Sequence, residues 1–303
     1  MTETRTTVPW QAQFVLLSIM WGSSFLYIKV IGRHWPALWV ALGRIGLGAI
    51  TLVVLAVALG ERLRMPDRRL LRHLLVVAVL FNALPFTLYA YGEQHVSSIV
   101  AGLWNATTPL WVLVATLVSF REERLTPARA LGLLAGFLGV AMLLGPWRGL
   151  GGGQLRGHLA CAGAAASYGI AFPYTRRHLA SRPEAGVVLA AGQLVCATVM
   201  LALLTPFARA PSSHIGLDGL GSILALGVLS SGVAYILNYS LVRSVGSAVA
   251  STVTYLIPVV AAVLGAIVLT EQLHWNQAVG TAVLLAGIAI TQGRLRLVGR
   301  RRS

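Results

Sequence analysis

The sequence predicts an all-α integral membrane fold of ten transmembrane helices, arranged as two inverted five-helix repeats. Three observations lead there. Apolar residues make up 56% of the chain and charged residues 11%, against roughly 25% charged in a soluble domain. The apolar residues gather in runs of about 20, the length that crosses a bilayer. One run occurs twice, as VSSIVAGLWNATTPLWVLVATLVSF at 96–120 and VGSAVASTVTYLIPVVAAVLGAIVL at 245–269.

The first run, 12–31, is too long for a signal-peptide core, lacks a small-residue cleavage site and ends in Lys29 and Arg33, so it reads as a retained helix. The second and third, 37–59 and 72–92, flank the arginine-rich stretch 62–72. The fourth, 96–119, carries Pro109 near its middle, and the fifth, 127–146, carries Gly132, Gly136 and Gly139. Glycine-rich residues 147–155 then read as a linker. Five more runs follow at 156–176, 185–206, 217–241, 246–270 and 274–293. The outer loop 207–218, joining the seventh run to the eighth, carries the turn-forming Pro211, Ser212, Ser213 and Asp218. The expected units are a first repeat at 1–146, the linker at 147–155, a second repeat at 156–293 and a basic tail at 294–303. Cys161 and Cys196 lie inside apolar runs and suggest neither a disulfide nor a metal site.

The net charge of +15 invites a nucleic-acid reading, and its distribution argues against one. Of the 24 cations, 18 fall on one side of the predicted helices: Arg5, the arginines of 62–72, 121–129, 176–182 and 294–302, and Arg243. Four (Arg33, Arg148, Arg156 and Arg209) fall on the other. This positive-inside bias places both termini in the cytoplasm of a multi-pass protein of the cell (inner or plasma) membrane. The expected partners are membrane lipid and a small-molecule substrate, with no nucleic acid and no cofactor.

Laid over each other at an offset of 149, the repeated runs match at Val96/Val245, Ser98/Ser247, Val100/Val249, Ala101/Ala250, Pro109/Pro258 and Val114/Val263. After a one-residue slip, Glu123/Glu271, Gly132/Gly280 and Gly139/Gly287 also match. Five helices per half is odd, so the halves cross the membrane in opposite senses, the signature of many transporters. The glycines of the fifth and tenth runs suit close helix packing, inside one chain or across a homodimer; monomer and homodimer both stay open.

WGSSFLYIKV in the first run, AGLWNATTPLW followed by EERL around the fourth, and YLIPVVAAVLGAIVLTEQL around the ninth resemble the EamA-type family of the drug/metabolite transporter superfamily. The resemblance covers nearly the whole chain. It implies ten helices in two inverted halves, a cavity between them, and export of small metabolites by alternating access.

Proline inside a helix frees the carbonyl four residues back. Pro109 would free that of Asn105 and Pro258 that of Thr254, so a helix break is expected at each. Freed groups need protein, water or ligand, because lipid offers none. The candidate substrate site therefore centres on Asn105 and Thr254, with Trp104, Thr108, Trp111 and Tyr255 beside them. Asn82 and Tyr89 in the third run and Tyr235 and Asn238 in the eighth add buried polar groups, which lipid penalises unless they face partners or a cavity. Trp21 and Ser24 in the first run and Tyr168 in the sixth occupy comparable depths. The same residues also suit two kinked helices with local caps and aromatic packing. Lys29 and Arg44 are the cations inside the runs, and either pairs by depth with Glu93, as an outer gate or as a structural ion pair.

No acid reaches the centre of a run, and no His–acid cluster or Ser–His pair shares a depth. No catalytic or metal-binding residue is assigned, and a membrane-embedded enzyme is disfavoured. So is a multidrug or organic-cation exporter, which calls for an embedded carboxylate. A neutral or zwitterionic, amino-acid-like metabolite suits an amide-and-aromatic cavity better.

Overall fold

The computed structural model describes residues 9–63, 65–118, 126–145, 152–179, 182–211, 215–238, 240–241, 244 and 253–291. The basic tail, most of the predicted linker and the first third of the second repeated run lie outside the described residues. Ten helical elements follow in order, with no strand among the described residues: α1 Trp10–Ile31, α2 Ala37–Ala58, α3 Arg68–Glu93, α4 Ser98–Val118, α5 Pro127–Leu144, α6 Gly152–His178, α7 Gly186–Phe207, α8 Leu217–Asn238, α9 Val253–Val268 and α10 Trp275–Thr291. Six of them (α1 to α4, α7 and α8) are long and apolar enough to cross a membrane, while α5, α9 and α10 are shorter apolar helices. The glycine and alanine-rich α6 runs for 27 residues. It starts inside the predicted linker, because Gln154, Leu155 and Arg156 are good helix formers that carry the first turn past the glycines.

Local chemistry sets the helix ends. Thr126 Oγ1 accepts from Arg129 N at 3.3 Å, Pro127 opens α5, and Gly145 closes it in the left-handed region at φ 57°. Asp67 caps α3, accepting from Leu70 N at 2.6 Å. That bond, with Arg182 at 3.8 Å, holds the Asp67 carboxyl below the usual carboxylate range. A depressed folded value places the stabilisation above about pH 3.9 and removes it as pH falls through the lower, folded value. In an acid titration of thermal stability, Asp67→Asn is therefore expected to flatten the lowest part of the profile and leave the neutral region parallel to wild type.

Several helices are irregular near their middles. α1 turns at Ser23, between Trp10–Gly22 and Ser24–Ile31. α3 widens into a π-helix at Ala78–Ala83, just before Pro85, and α8 does so at Ala225–Val233. Such turns recur at functional sites. α4 breaks at Ala106 and Thr107, ahead of Pro109, as the sequence predicts. The expected break at Pro258 is not observed: Pro258 sits inside continuous helix Val253–Val268. α1 braces it there, since a Cβ on Gly22 would come within 2.5 Å of Val260 Cβ and 3.1 Å of the Ile257 carbonyl.

Packing is pairwise and close. α5 and α10 meet along their glycines, with Gly139 backed onto the Gly280 carbonyl and Gly287 onto that of Gly132. α2 packs on α7 through Ala41, Ile45, Ala49 and Leu52 against Ala190, Ala191, Leu194 and Ala197. α4 meets α9 where Gly102 faces Ala261. The outward side chains are apolar: Ile50, Val54 and Val57 on α2, Leu134 and Leu138 on α5, and Ile267 on α9 are all more than half exposed. An apolar belt of this size needs lipid, not water, around it. The chain is a multi-pass membrane protein.

The connections gather at two faces. At the upper face, where α1, α3, α5, α7 and α9 end, Trp39 Nε1 donates to the Arg209 carbonyl at 3.0 Å and His34 approaches Asp218 at 3.7 Å. At the lower face, Arg182 meets Asp67.

Candidate functional site

Two tyrosine–amide pairs tie α3 to its neighbours. Tyr89 OH donates to Asn105 Oδ1 at 3.3 Å, joining α3 to the break in α4. Tyr235 OH donates to Asn82 Oδ1 at 3.2 Å, joining α3 to α8. Asn82 is fully buried in the π-helical turn, and its Nδ2 has no hydrogen-bond partner. Thr108 Oγ1, buried at the start of the resumed α4, has none either. Aromatic rings wall the region: Tyr168 lies 6.2 Å from Tyr89 and 5.4 Å from Phe81, and Phe25 meets Tyr89 edge-on at 5.5 Å.

The structure thus brings together Asn82, Tyr89, Asn105, Tyr168 and Tyr235, with Thr108 three residues beyond Asn105 at the start of the resumed α4. Trp21 packs beside them at the junction of two core clusters, and Asn238 is half-buried one turn beyond Tyr235. Tyr255 packs against Ala106, at the α4 break, with Leu110, Leu284 and Ile288; Thr254, next to it, is half-buried. Other candidates are committed elsewhere. Ser24 Oγ bonds the Met20 carbonyl of its own helix at 3.2 Å. Trp104 donates to His158 Nδ1 at 3.0 Å. Trp111 donates to Thr107 Oγ1 at 3.2 Å and stands edge-on to Phe137, with Gly169 of α6 pressed on its backbone.

The expected ion pairs with Glu93 do not form. Lys29 Nζ donates to two backbone carbonyls, those of Glu93 at 2.5 Å and Val96 at 2.8 Å, because the end of α3 presents carbonyls that no further turn satisfies. Arg44 is 7% exposed, donates through Nε to Ser231 Oγ at 3.0 Å, and stacks its guanidinium 3.8 Å above the Phe86 ring. Sequence spacing puts Phe86, three residues before Tyr89, on the same helical face, but the partner on α8 is 187 residues away and invisible to local pattern.

A second polar constellation, also missed by local reading, lies at the upper face. Glu271, after α9, accepts from Ser98 N at 2.9 Å, Ser98 Oγ at 2.8 Å and Ile99 N at 3.1 Å, capping α4 from a distant part of the chain. A carboxylate at a helix N-terminus is favoured by the exposed N–H groups and the macrodipole. A cavity of about 530 Å³ opens beside this clasp, lined by His95, His158, His274, Gln154 and Asn276 among others. Glu271→Gln replaces one acceptor oxygen with a donor facing N–H groups. It is expected to lower stability by about 1–3 kcal/mol, read as a drop in melting temperature of the purified protein.

A helical bundle with an apolar belt around buried polar side chains is the architecture of a multi-pass membrane protein. The chain belongs to the EamA-like transporter family, whose model matches it twice, at residues 9–145 and 155–292. It is similar to the uncharacterized transporter YoaV of Bacillus subtilis, 24% identical over 90% of this chain and 93% of that protein. An uncharacterized transporter of Archaeoglobus fulgidus is 27% identical over 89% and 94%. A probable terminal-alkyne amino-acid exporter of Streptantibioticus cattleyicolor is 28% identical over 95% and 94%. A crystal structure of a protein 22% identical superposes with a TM-score of 0.65, covering 94% of this chain and 98% of that one, which establishes a shared fold.

Proposed function

We propose that this transporter exports a small neutral or zwitterionic metabolite, amino-acid-like, by alternating access between two inverted five-helix halves, 1–146 and 156–293. The observation that carries the reading is the Tyr89–Asn105 and Asn82–Tyr235 pair of contacts, with Asn82 Nδ2 and Thr108 Oγ1 left unpartnered beside aromatic rings. Neutral donors, acceptors and π-faces suit an amino or carboxyl group with an apolar side chain. The name of the Streptantibioticus relative points the same way.

The inverted arrangement draws support from packing. Helices five apart in order pack on each other (α2 on α7, α4 on α9, α5 on α10), as they do when a pseudo-two-fold axis in the membrane plane passes between them. α3 and α8 carry the two π-helical stretches. All ten helices cross the membrane in this reading, α5, α9 and α10 shortened by tilt or local thinning of the bilayer. The upper face is the outer one, both termini are cytoplasmic, and the membrane is the cell membrane. The glycine stripes that would serve a homodimer are used between α5 and α10, which favours a monomer.

An untargeted comparison of spent medium tests this. Cells expressing the wild type are expected to release one or a few amino-acid-like metabolites that cells expressing a Tyr89→Phe/Asn105→Ala variant at equal membrane abundance retain. An organic-cation exporter is the rival that Glu93, a buried acid, favours. Efflux of tetraphenylphosphonium, with no metabolite released, would choose that rival.

A further inference from the structure

Glu93 ends α3 one helical turn beyond Tyr89, on the same face. It is 2% exposed, and neither carboxyl oxygen has a hydrogen-bond partner. The nearest cation does not neutralise it through a direct bond, since Lys29 Nζ spends its hydrogen bonds on the backbone carbonyls of Glu93 and Val96. α6 closes the other side, where a Cβ on the preceding residue, Gly92, would come within 2.5 Å of Cys161 Sγ and 3.2 Å of the Gly157 carbonyl. A carboxylate stripped of water and of donors is far less stable than the neutral acid.

We propose that Glu93 is a proton-binding site that couples transport to the proton gradient. It carries a proton in the conformation described here and exchanges it with water when the halves rock. The inference rests on the alternating-access reading above. The chemistry is one reversible step: the carboxyl O–H bond forms with a proton from external water and breaks to return it to cytoplasmic water, while substrate moves outward in the intervening conformations. The charged and titratable groups whose fields reach Glu93 are Lys29 on α1, Arg44 on α2, Tyr89 on its own helix, Cys161 on α6 and Glu271 after α9. Lys29 gives the step a means of conformational control. When movement of α1 against α3 frees the ammonium from the two carbonyls, it can turn to the carboxylate and favour release of the proton. Tyr89, bonded to Asn105, links the same stretch of α3 to the candidate substrate site.

The test uses purified wild type, Glu93→Gln and Glu93→Asp in two arms. Infrared spectroscopy of the reconstituted proteins near pH 7 is expected to show the C=O stretch of a protonated carboxyl, shifted in D2O, in wild type and in Glu93→Asp but not in Glu93→Gln, which keeps the shape of the neutral acid and so the fold. In proteoliposomes given a mixture of radiolabelled amino acids, a proton gradient of one pH unit is expected to drive roughly tenfold accumulation against the proton flow, for one proton per substrate. Glu93→Gln is expected to abolish that gradient response. Absence of the protonated-carboxyl band from wild type, or its survival in Glu93→Gln, overturns the proposal. So does amino-acid transport that ignores the gradient in wild type. Should no amino acid be transported at all, the substrate class proposed above falls, and the infrared arm alone decides the proton site.

Discussion

Gly139→Val and Gly280→Val are each expected to leave little folded transporter. A Cβ on Gly139 would stand 2.6 Å from both the Gly280 carbonyl and Leu284 N, and a Cβ on Gly280 would stand 2.7 Å from the Gly139 carbonyl and Leu143 N. The obstructing atoms are backbone, so no rotamer change relieves the overlap, and α5 and α10 must separate. Overpacking commonly costs about 1–3 kcal/mol, and separating the helices also forfeits the dispersion contacts that hold helices together in lipid. The buried Leu143, Leu284 and Ile288 lose their partners with it. Fluorescence-detected size exclusion of a tagged protein should show aggregate in place of the monodisperse peak. Gly152→Val serves as the control, because a Cβ there meets nothing within 4 Å.

Tyr89→Phe and Asn105→Ala, by contrast, are expected to fold and fail to transport. Interhelical hydrogen bonds in membranes average about 0.6 kcal/mol of stability, so losing the Tyr89–Asn105 bond should shift the melting temperature only slightly. Its role in positioning is larger. The bond holds the break in α4 against α3, and if α4 moves as a gate, its loss should cut transport at least roughly tenfold, equivalent to about 1.4 kcal/mol. The double variant should be little worse than either single one, since both remove the same contact. Trp111→Phe is the contrast: its ring stands edge-on to Phe137, and it takes no part in the Tyr89–Asn105 bond, so transport should persist.

The helices were legible because lipid demands long apolar runs, and each described helix coincides with one. The break before Pro109 was legible because proline removes a specific backbone bond. Pro258 carries the same local chemistry but lies in a continuous helix, pressed by Gly22 of α1, so the outcome depends on a tertiary contact that no local pattern contains. The π-helical turns left no clear sequence signal either, although Asn82, which sits in the first of them, is a polar residue in an apolar run. Glu93 shows the limit most clearly. Depth along the run places it near the end, where water is expected, and a pair with Lys29 or Arg44 follows by proximity. The structure instead covers it with α6 and turns Lys29 onto backbone carbonyls. The Glu271 clasp spans 173 residues; its match to Glu123 marked the repeat but said nothing of the helix it caps.

The central claim is a cavity at the level of Asn105 that opens to each side in turn. The most direct test is a single cysteine, Asn105→Cys, in a background with the free Cys161 and Cys196 replaced by alanine, probed with a membrane-impermeant thiosulfonate from either side of oriented vesicles. The account predicts labelling from both sides, with the balance shifted by an opposing gradient of transported metabolite. Protection from both sides under every gradient would contradict it.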